Sequence, residues 1–101
     1  MKHAGPRTLA ALAPLLRRLR AVPALIERRP GVFYLGSRAY LHFHDDPSGI
    51  FADVKLDLAA FVRVPVSTAA ERASLVARIV RSLGTRRQHE GRRQRPGRGA
   101  R

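Results

Sequence analysis

The first helical signal in the chain is a stripe of leucines between residues 7 and 20. The stripe comprises Leu9, Leu12, Leu15, Leu16 and Leu19. Intervals of three and four are typical of one face of an α-helix, and Thr8 is placed to cap its start. Pro14 removes a hydrogen bond inside the segment. The segment is therefore either one kinked helix, or a separate first turn followed by a main helix that starts at Pro14.

Beyond this helix the pattern changes from a helical period to a period of two. Pro23 opens a short second helical turn that ends before Arg29-Pro30. Four strands are then predicted, at residues 31–35, 38–44, 50–56 and 61–66. Residues 36–37 form a tight-turn signal, and residues 46–49 have the residue order of a type I turn, with Asp46 at its first position. Pro65 cannot donate to a β-ladder, so the fourth strand is expected at an edge of the sheet.

Alternation along the strands divides the side chains between two faces. The apolar face is predicted to carry Ala39, Leu41, Phe43, Ile50, Ala52, Val54, Leu56, Val62, Val64 and Val66. The opposite face is predicted to carry Arg38, Tyr40, His42, His44, Phe51, Asp53 and Lys55. The apolar face of such a sheet must be covered.

The last helix has a clear start, because Thr68 and Glu71 have the spacing of a capping box. Its buried stripe is predicted to be Ala73, Val76, Ile79, Val80 and Leu83. Gly84 is expected to end it. The remaining residues, 85–101, are Arg-rich and almost free of apolar side chains, so we expect a disordered tail.

These elements predict an α+β protein in which the two helices cover one face of a four-stranded antiparallel sheet. The architecture is a two-layer sandwich with the order helix, sheet, helix. We expect residues 1–84 to form a single domain.

Composition narrows the function classes. The formal net charge is +13, and the chain contains no cysteine, which excludes disulfides and thiolate metal sites. No apolar run reaches the roughly 20 residues of a membrane span. The N-terminal apolar segment is followed at once by arginines where a signal cleavage site would lie, so we interpret it as a helix of a cytoplasmic protein. A mitochondrial-type presequence is the alternative.

The middle of the chain resembles small bacterial proteins, common in actinobacteria, that carry a "luciferase family" or "luciferase domain" label. The matching pieces are Val22-Pro23, His42-Phe43-His44 and Asp53-Val54-Lys55-Leu56, within residues 21–83. The resemblance implies the same fold and a family without an established activity. It implies neither light emission nor a flavin or luciferin pocket.

The His-x-His motif is the main candidate site. His42 and His44 point to the same side of a strand. The apolar sides of the hairpin agree when paired residue numbers have an odd sum. A sum of 95 places His42 opposite Asp53 and His44 opposite Phe51, and sums of 93 and 97 are the neighbouring registers. Two imidazoles and a carboxylate could bind zinc or another divalent metal with an open position for water, or Asp53 could orient His42 as a general base. The structural alternative is a polar strand face with stabilising cross-strand pairs.

A second hypothesis is polyanion binding by the tail, whose arginines could neutralise phosphates and give salt-sensitive, sequence-independent affinity. The candidates are Arg86, Arg87, Arg92, Arg93, Arg95 and Arg98. The alternative is a solvated tail without a function, reflecting GC-rich coding.

A third hypothesis is an interaction module in which Tyr40 and Phe51 contact a protein, a small ligand or a second copy of the chain. The sequence favours binding over catalysis. It predicts no cofactor, with a divalent metal at the His-x-His face as the one alternative.

Overall fold

The computed structural model describes residues 2–94, and the side chains of residues 2–84. Its elements in chain order are β1 (Lys2–His3), α1 (Pro6–Ala11), α2 (Ala13–Arg20), β2 (Ile26–Arg29), β3 (Val32–Leu35), β4 (Arg38–Asp46), β5 (Gly49–Val54), β6 (Val62–Pro65) and α3 (Ala69–Gln94). The class is α+β with an antiparallel sheet, as predicted. The strand number was wrong, because the sheet has six strands instead of four.

The N-terminal helical segment is divided at Leu12, which ends α1 and precedes α2. Pro14 therefore lies in the first turn of α2, where its missing N–H costs no helical hydrogen bond. This is the second of the two predicted arrangements. Thr8 is not a cap, since Pro6 starts α1 and Gly5 precedes it. The Thr8 hydroxyl instead donates to the Asp45 carboxylate, at 2.7 and 2.6 Å from its two oxygens.

The sheet has the order β2-β3-β4-β5-β6, and β1 pairs with the C-terminal half of β4. The prediction of a helical turn at residues 26–28 was wrong, because residues 26–29 form the edge strand β2. Its side chains are largely exposed, so no apolar alternation indicated a strand. Gly31, at a φ of +76°, makes the turn that pairs β2 with β3.

The register of the central hairpin is the predicted one. His42 pairs with Asp53 and His44 with Phe51 across β4 and β5. The prediction for Tyr40 was wrong, because its side chain is 1% exposed. Phe33 pairs with Leu41 while Tyr34 pairs with Ala39, so Tyr40 is the extra residue of a β-bulge. A bulge interrupts the alternation of faces, and Tyr40 is buried beside Leu41.

One apolar core lies between the helices and the sheet. It is formed by Leu12, Leu15, Leu16, Leu19, Leu25, Phe33, Tyr40, Leu41, Phe43, Ala52, Val54, Val66, Leu75, Ile79 and Leu83. The stripe predicted for α3 was partly wrong, since Leu75 replaces Ala73 and Val80, which are exposed. Val62, predicted to point inward, is 42% exposed because β6 is the edge strand.

The capping box of the last helix is confirmed. Thr68 Oγ1 accepts a hydrogen bond from the Glu71 N–H at 3.1 Å, and Glu71 Oε1 accepts one from the Thr68 N–H at 3.0 Å. The helix continues past Gly84, where the sequence suggested its end. None of the helices in the described part of the chain combines the length and apolar character that a bilayer crossing requires.

Candidate metal centre

The N-terminal strand brings a third histidine to the His-x-His motif. Strand β1 pairs antiparallel with the end of β4, so that His3 lies opposite His44 and Lys2 opposite Asp45. The pairing continues in a hydrogen bond of 3.1 Å from the Ala4 N–H to the Phe43 carbonyl. The Thr8–Asp45 contact ties α1 to the same end of β4. Backbone pairing and a side-chain contact therefore hold His3 beside the motif.

The three imidazoles form a compact cluster on the outer face of the sheet. Ring centres are 4.9 Å apart for His3 and His44, 4.8 Å for His42 and His44, and 5.7 Å for His3 and His42. One ring nitrogen of each residue lies within 4.8 Å of the corresponding nitrogens of the other two. His3 is exposed, and His42 and His44 are half-buried. The cluster therefore opens to solvent on the side of His3.

Two buried nitrogens in this cluster lack a hydrogen-bond partner among the described residues. They are Nδ1 of His42 and Nδ1 of His44, and both are closed off from solvent. Buried polar atoms in proteins nearly always have a partner, so orphaned atoms of this kind point to an unfilled role. A metal ion would supply the missing partner to ring nitrogens that face a shared centre.

The electrostatics around His42 favour its neutral imidazole. Burial lowers the pKa of His42 below its usual value, and the neighbouring His44 lowers it further. Asp53 acts in the opposite direction and raises this pKa, but the net shift is downward. Neutral imidazole is the form that binds a metal ion, because protons compete with metal for the ring nitrogen.

Asp53 is held next to the cluster by an arginine. Arg63, opposite it on β6, donates from Nε to Oδ1 at 2.8 Å and from Nη2 to Oδ2 at 2.9 Å. These hydrogen bonds lower the pKa of Asp53. Its Oδ2 also lies 3.0 Å from Nε2 of His44. This distance places the His44 ring directly beside the Asp53 carboxylate.

This arrangement resembles the two shells of a histidine metal site. Three histidines are the protein ligands of one class of catalytic zinc sites, in which the fourth position is left open. A ligating histidine commonly turns its other ring nitrogen to a carboxylate, as His44 does to Asp53. Zinc–nitrogen bonds of about 2.1 Å separate tetrahedral ligands by about 3.4 Å. Ligation would therefore require the rings to close by about an ångström.

The predicted site residues are thus assembled, with changed roles. His42 and His44 share the cluster, while Asp53 contacts His44 and Arg63 rather than serving as the third ligand. The prediction that Asp53 orients His42 does not match the contacts, because Asp53 lies 3.0 Å from His44, the diagonal neighbour. The third histidine, His3, was missed. It is far away in sequence, and a two-residue strand has no periodicity that could indicate it.

Aromatic side chains border the cluster on the same face. The Phe61 ring lies 5.0 Å from the His42 ring and is 41% exposed. Lys55 Nζ lies 4.8 Å from the centre of the Phe61 ring. Half-buried Phe51 pairs with both His44 and Pro65. Phe51 is therefore on the candidate face, as predicted, and Tyr40 is not.

The six arginines of the proposed polyanion-binding tail, Arg86, Arg87, Arg92, Arg93, Arg95 and Arg98, lie outside the residues whose side chains are described. Their role stays a prediction. The predicted disorder does not agree with the structure at residues 85–94, which continue α3, and residues 95–101 lie outside the described residues. In the folded part, Arg20 is paired with Glu27, donating from Nη2 to Oε2 at 3.0 Å.

Comparisons with protein-family models, with curated proteins and with solved structures gave no match. The resemblance to the luciferase-labelled bacterial proteins therefore stays a prediction that rests on its sequence motifs.

Proposed function

We propose that this protein is a binding module for a divalent transition metal, with zinc as the favoured ion and His3, His42 and His44 as its ligands. The observation that carries the proposal is the convergence of three imidazoles, whose nitrogens lie within 4.8 Å of one another and include solvent-shielded atoms without partners. Imidazole suits zinc, copper, iron and nickel among the common metals. Asp53, held by Arg63, serves as the carboxylate that orients His44.

Binding is favoured over catalysis because the expected catalytic groups are committed elsewhere. The carboxylate of Asp53 accepts two hydrogen bonds from Arg63, so it is not free to act as a general base. Asp46 is a turn residue whose carboxylate accepts a hydrogen bond from the Ser48 N–H at 3.1 Å. We therefore propose that this outer face of the sheet binds a ligand rather than catalysing a reaction, and that the metal ion lies at the centre of the binding site.

The test is a titration of the full-length, chelator-treated protein with zinc, followed by calorimetry and by metal analysis after gel filtration. We expect one equivalent to bind. The variants His3→Ala, His42→Ala and His44→Ala should each lose more affinity than the roughly 10–100-fold that removal of a second-shell partner costs. Asp53→Asn should lose affinity within that range.

The matched control is His89→Ala, which removes the fourth histidine of the chain, one that is not among the proposed ligands. It should leave stoichiometry and affinity unchanged. Equal losses in all four histidine variants, or no stoichiometric uptake by the parent protein, would overturn the proposal. Circular dichroism of each variant separates loss of a ligand from loss of the fold.

A further inference from the structure

The metal site has an uncompensated positive charge. Three neutral imidazoles leave the full double charge of a divalent ion in place. The nearest carboxylate, Asp53, is already neutralised by two hydrogen bonds from Arg63. A tetrahedral ion with three protein ligands retains one open position, and the surrounding charge favours an anion there.

A free cation stands on the same face. Lys55 follows β5 two residues after Asp53, and its backbone N–H is fixed by a hydrogen bond of 3.0 Å to the Tyr40 carbonyl. Its ammonium lies over the Phe61 ring, which in turn contacts His42. Among the described residues it forms no salt bridge. The Phe61 ring lies between the Lys55 ammonium and His42, so Lys55 places a positive charge close to the histidine cluster.

The surface around the open position is also apolar. Phe61 presents a partly exposed ring beside His42, and Phe51 and Pro65 lie side by side next to His44. An inorganic anion has no apolar group to place against these side chains. An organic anion could cover them and remove their apolar area from water.

We infer that the fourth metal position binds a small organic carboxylate, whose apolar or aromatic group lies against Phe61 and whose charge is complemented by Lys55. This inference rests on the proposed metal site and adds its ligand class. Carboxylate oxygen is an ordinary ligand for zinc, and one bound carboxylate would offset part of the positive charge that the divalent ion and Lys55 bring to this face.

The experiment uses the full-length protein loaded with cobalt(II), whose visible absorption reports changes in its coordination. Acetate, benzoate and inorganic phosphate are titrated separately at constant ionic strength. We expect benzoate to change the spectrum at about one-tenth of the acetate concentration or less, and phosphate to be weaker than benzoate. Lys55→Gln should weaken both carboxylates about 5- to 10-fold, and Phe61→Ala should remove the preference for benzoate over acetate.

Arg17→Gln is the matched control, because it removes an exposed cation from α2, in the helical layer. It should leave all three titrations unchanged. A cobalt spectrum that responds to none of the anions would overturn this inference while leaving the metal site intact. Tightest binding of phosphate, or full benzoate preference in Phe61→Ala, would also overturn it. Absence of a cobalt spectrum would instead reject the proposed function itself.

Discussion

Asp53 and Arg63 face each other across β5 and β6 and are joined by two parallel hydrogen bonds of 2.8 and 2.9 Å. The carboxylate side chain is 12% exposed, whereas the guanidinium side chain is 49% exposed. The pair thus fixes the part of the proposed metal site that carries no ligand, and it contributes to the response of the protein to acid.

Arg63→Gln should reduce the acid sensitivity that Asp53 gives to the fold. The hydrogen bonds from Arg63 lower the pKa of Asp53. Its stabilising contribution is therefore complete above the unfolded value of about 3.9, and is lost as the pH falls through the lower folded pKa. In the variant this pKa should rise towards its usual value. NMR titration of the Asp53 carboxyl carbon measures it, with Arg78→Gln as the control. An unchanged pKa would contradict the assigned pairing.

His42 should make the metal-free protein less stable between pH 7 and pH 5. Its pKa is lowered in the folded state, so below about pH 6.5 the unfolded chain takes up a proton that the folded chain does not. The free energy of unfolding must then decrease as the pH falls. Urea denaturation in the presence of a chelator measures this slope. His42→Gln should flatten the slope and His89→Gln should leave it intact; the reverse result would reject the assignment.

Tyr40→Phe should leave the fold as stable as before or more stable, by about 1 kcal/mol. The Tyr40 hydroxyl is buried and has no hydrogen-bond partner among the described residues, so the variant removes a desolvated polar group and keeps the ring. Burial also raises the pKa of Tyr40 to about 12. In the parent protein, ultraviolet titration should therefore show one tyrosine that ionises well above pH 10.

Tyr34→Phe is the matched control, because Tyr34 is only half-buried and its ring contacts Arg28. It should change neither the stability by more than a few tenths of a kcal/mol nor the late tyrosine titration. A loss of more than about 1 kcal/mol in Tyr40→Phe would show that the hydroxyl has a bound partner.

Gly31→Ala should destabilise the protein more than Gly36→Ala. Both glycines have positive φ, +76° and +61°, so either alanine adopts a left-handed conformation at a cost of about 1–2 kcal/mol. At Gly31 the added methyl would also lie 2.7 Å from Cδ2 of Leu9, whereas the space at Gly36 is open. Thermal or urea denaturation of the two variants gives the difference. Equal losses of stability would show that Leu9 of α1 can move aside for the added methyl group without destabilising the fold.

Much of the sheet could be predicted because its central strands alternate strictly. The facing of Leu41 and Phe43 against Ala52 and Val54 excludes a slip by one residue, which would expose that entire face. It leaves registers that differ by two residues, of which the structure has the one that pairs His42 with Asp53. The same alternation could not reveal the bulge at Tyr40. A bulge arises from the pairing of β3 with β4, so the residue pattern of either strand alone does not indicate it.

For the same reason, the sequence predicted only part of the candidate site. His42 and His44 share a face by local geometry, whereas His3 joins them only through the pairing of β1 with β4. Asp53 was expected near the histidines, and it is. The sequence could not show that Arg63 occupies its oxygens, since that contact depends on the register between β5 and β6.

Binding of a metal ion would affect how the short β1 strand is attached to the sheet. An ion bound by His3 and His44 would close a covalent-like loop around both N-terminal helices and the first hairpin, in a chain that contains no cysteine. A permanent cross-link over a loop of this size would be worth about 4 kcal/mol in the chain-entropy estimate for disulfides. The proposed metal cross-link, in contrast, would be removed by a chelator or by acid. Metal supply would therefore determine how firmly β1, which the backbone pairing with β4 already holds, is attached to the sheet.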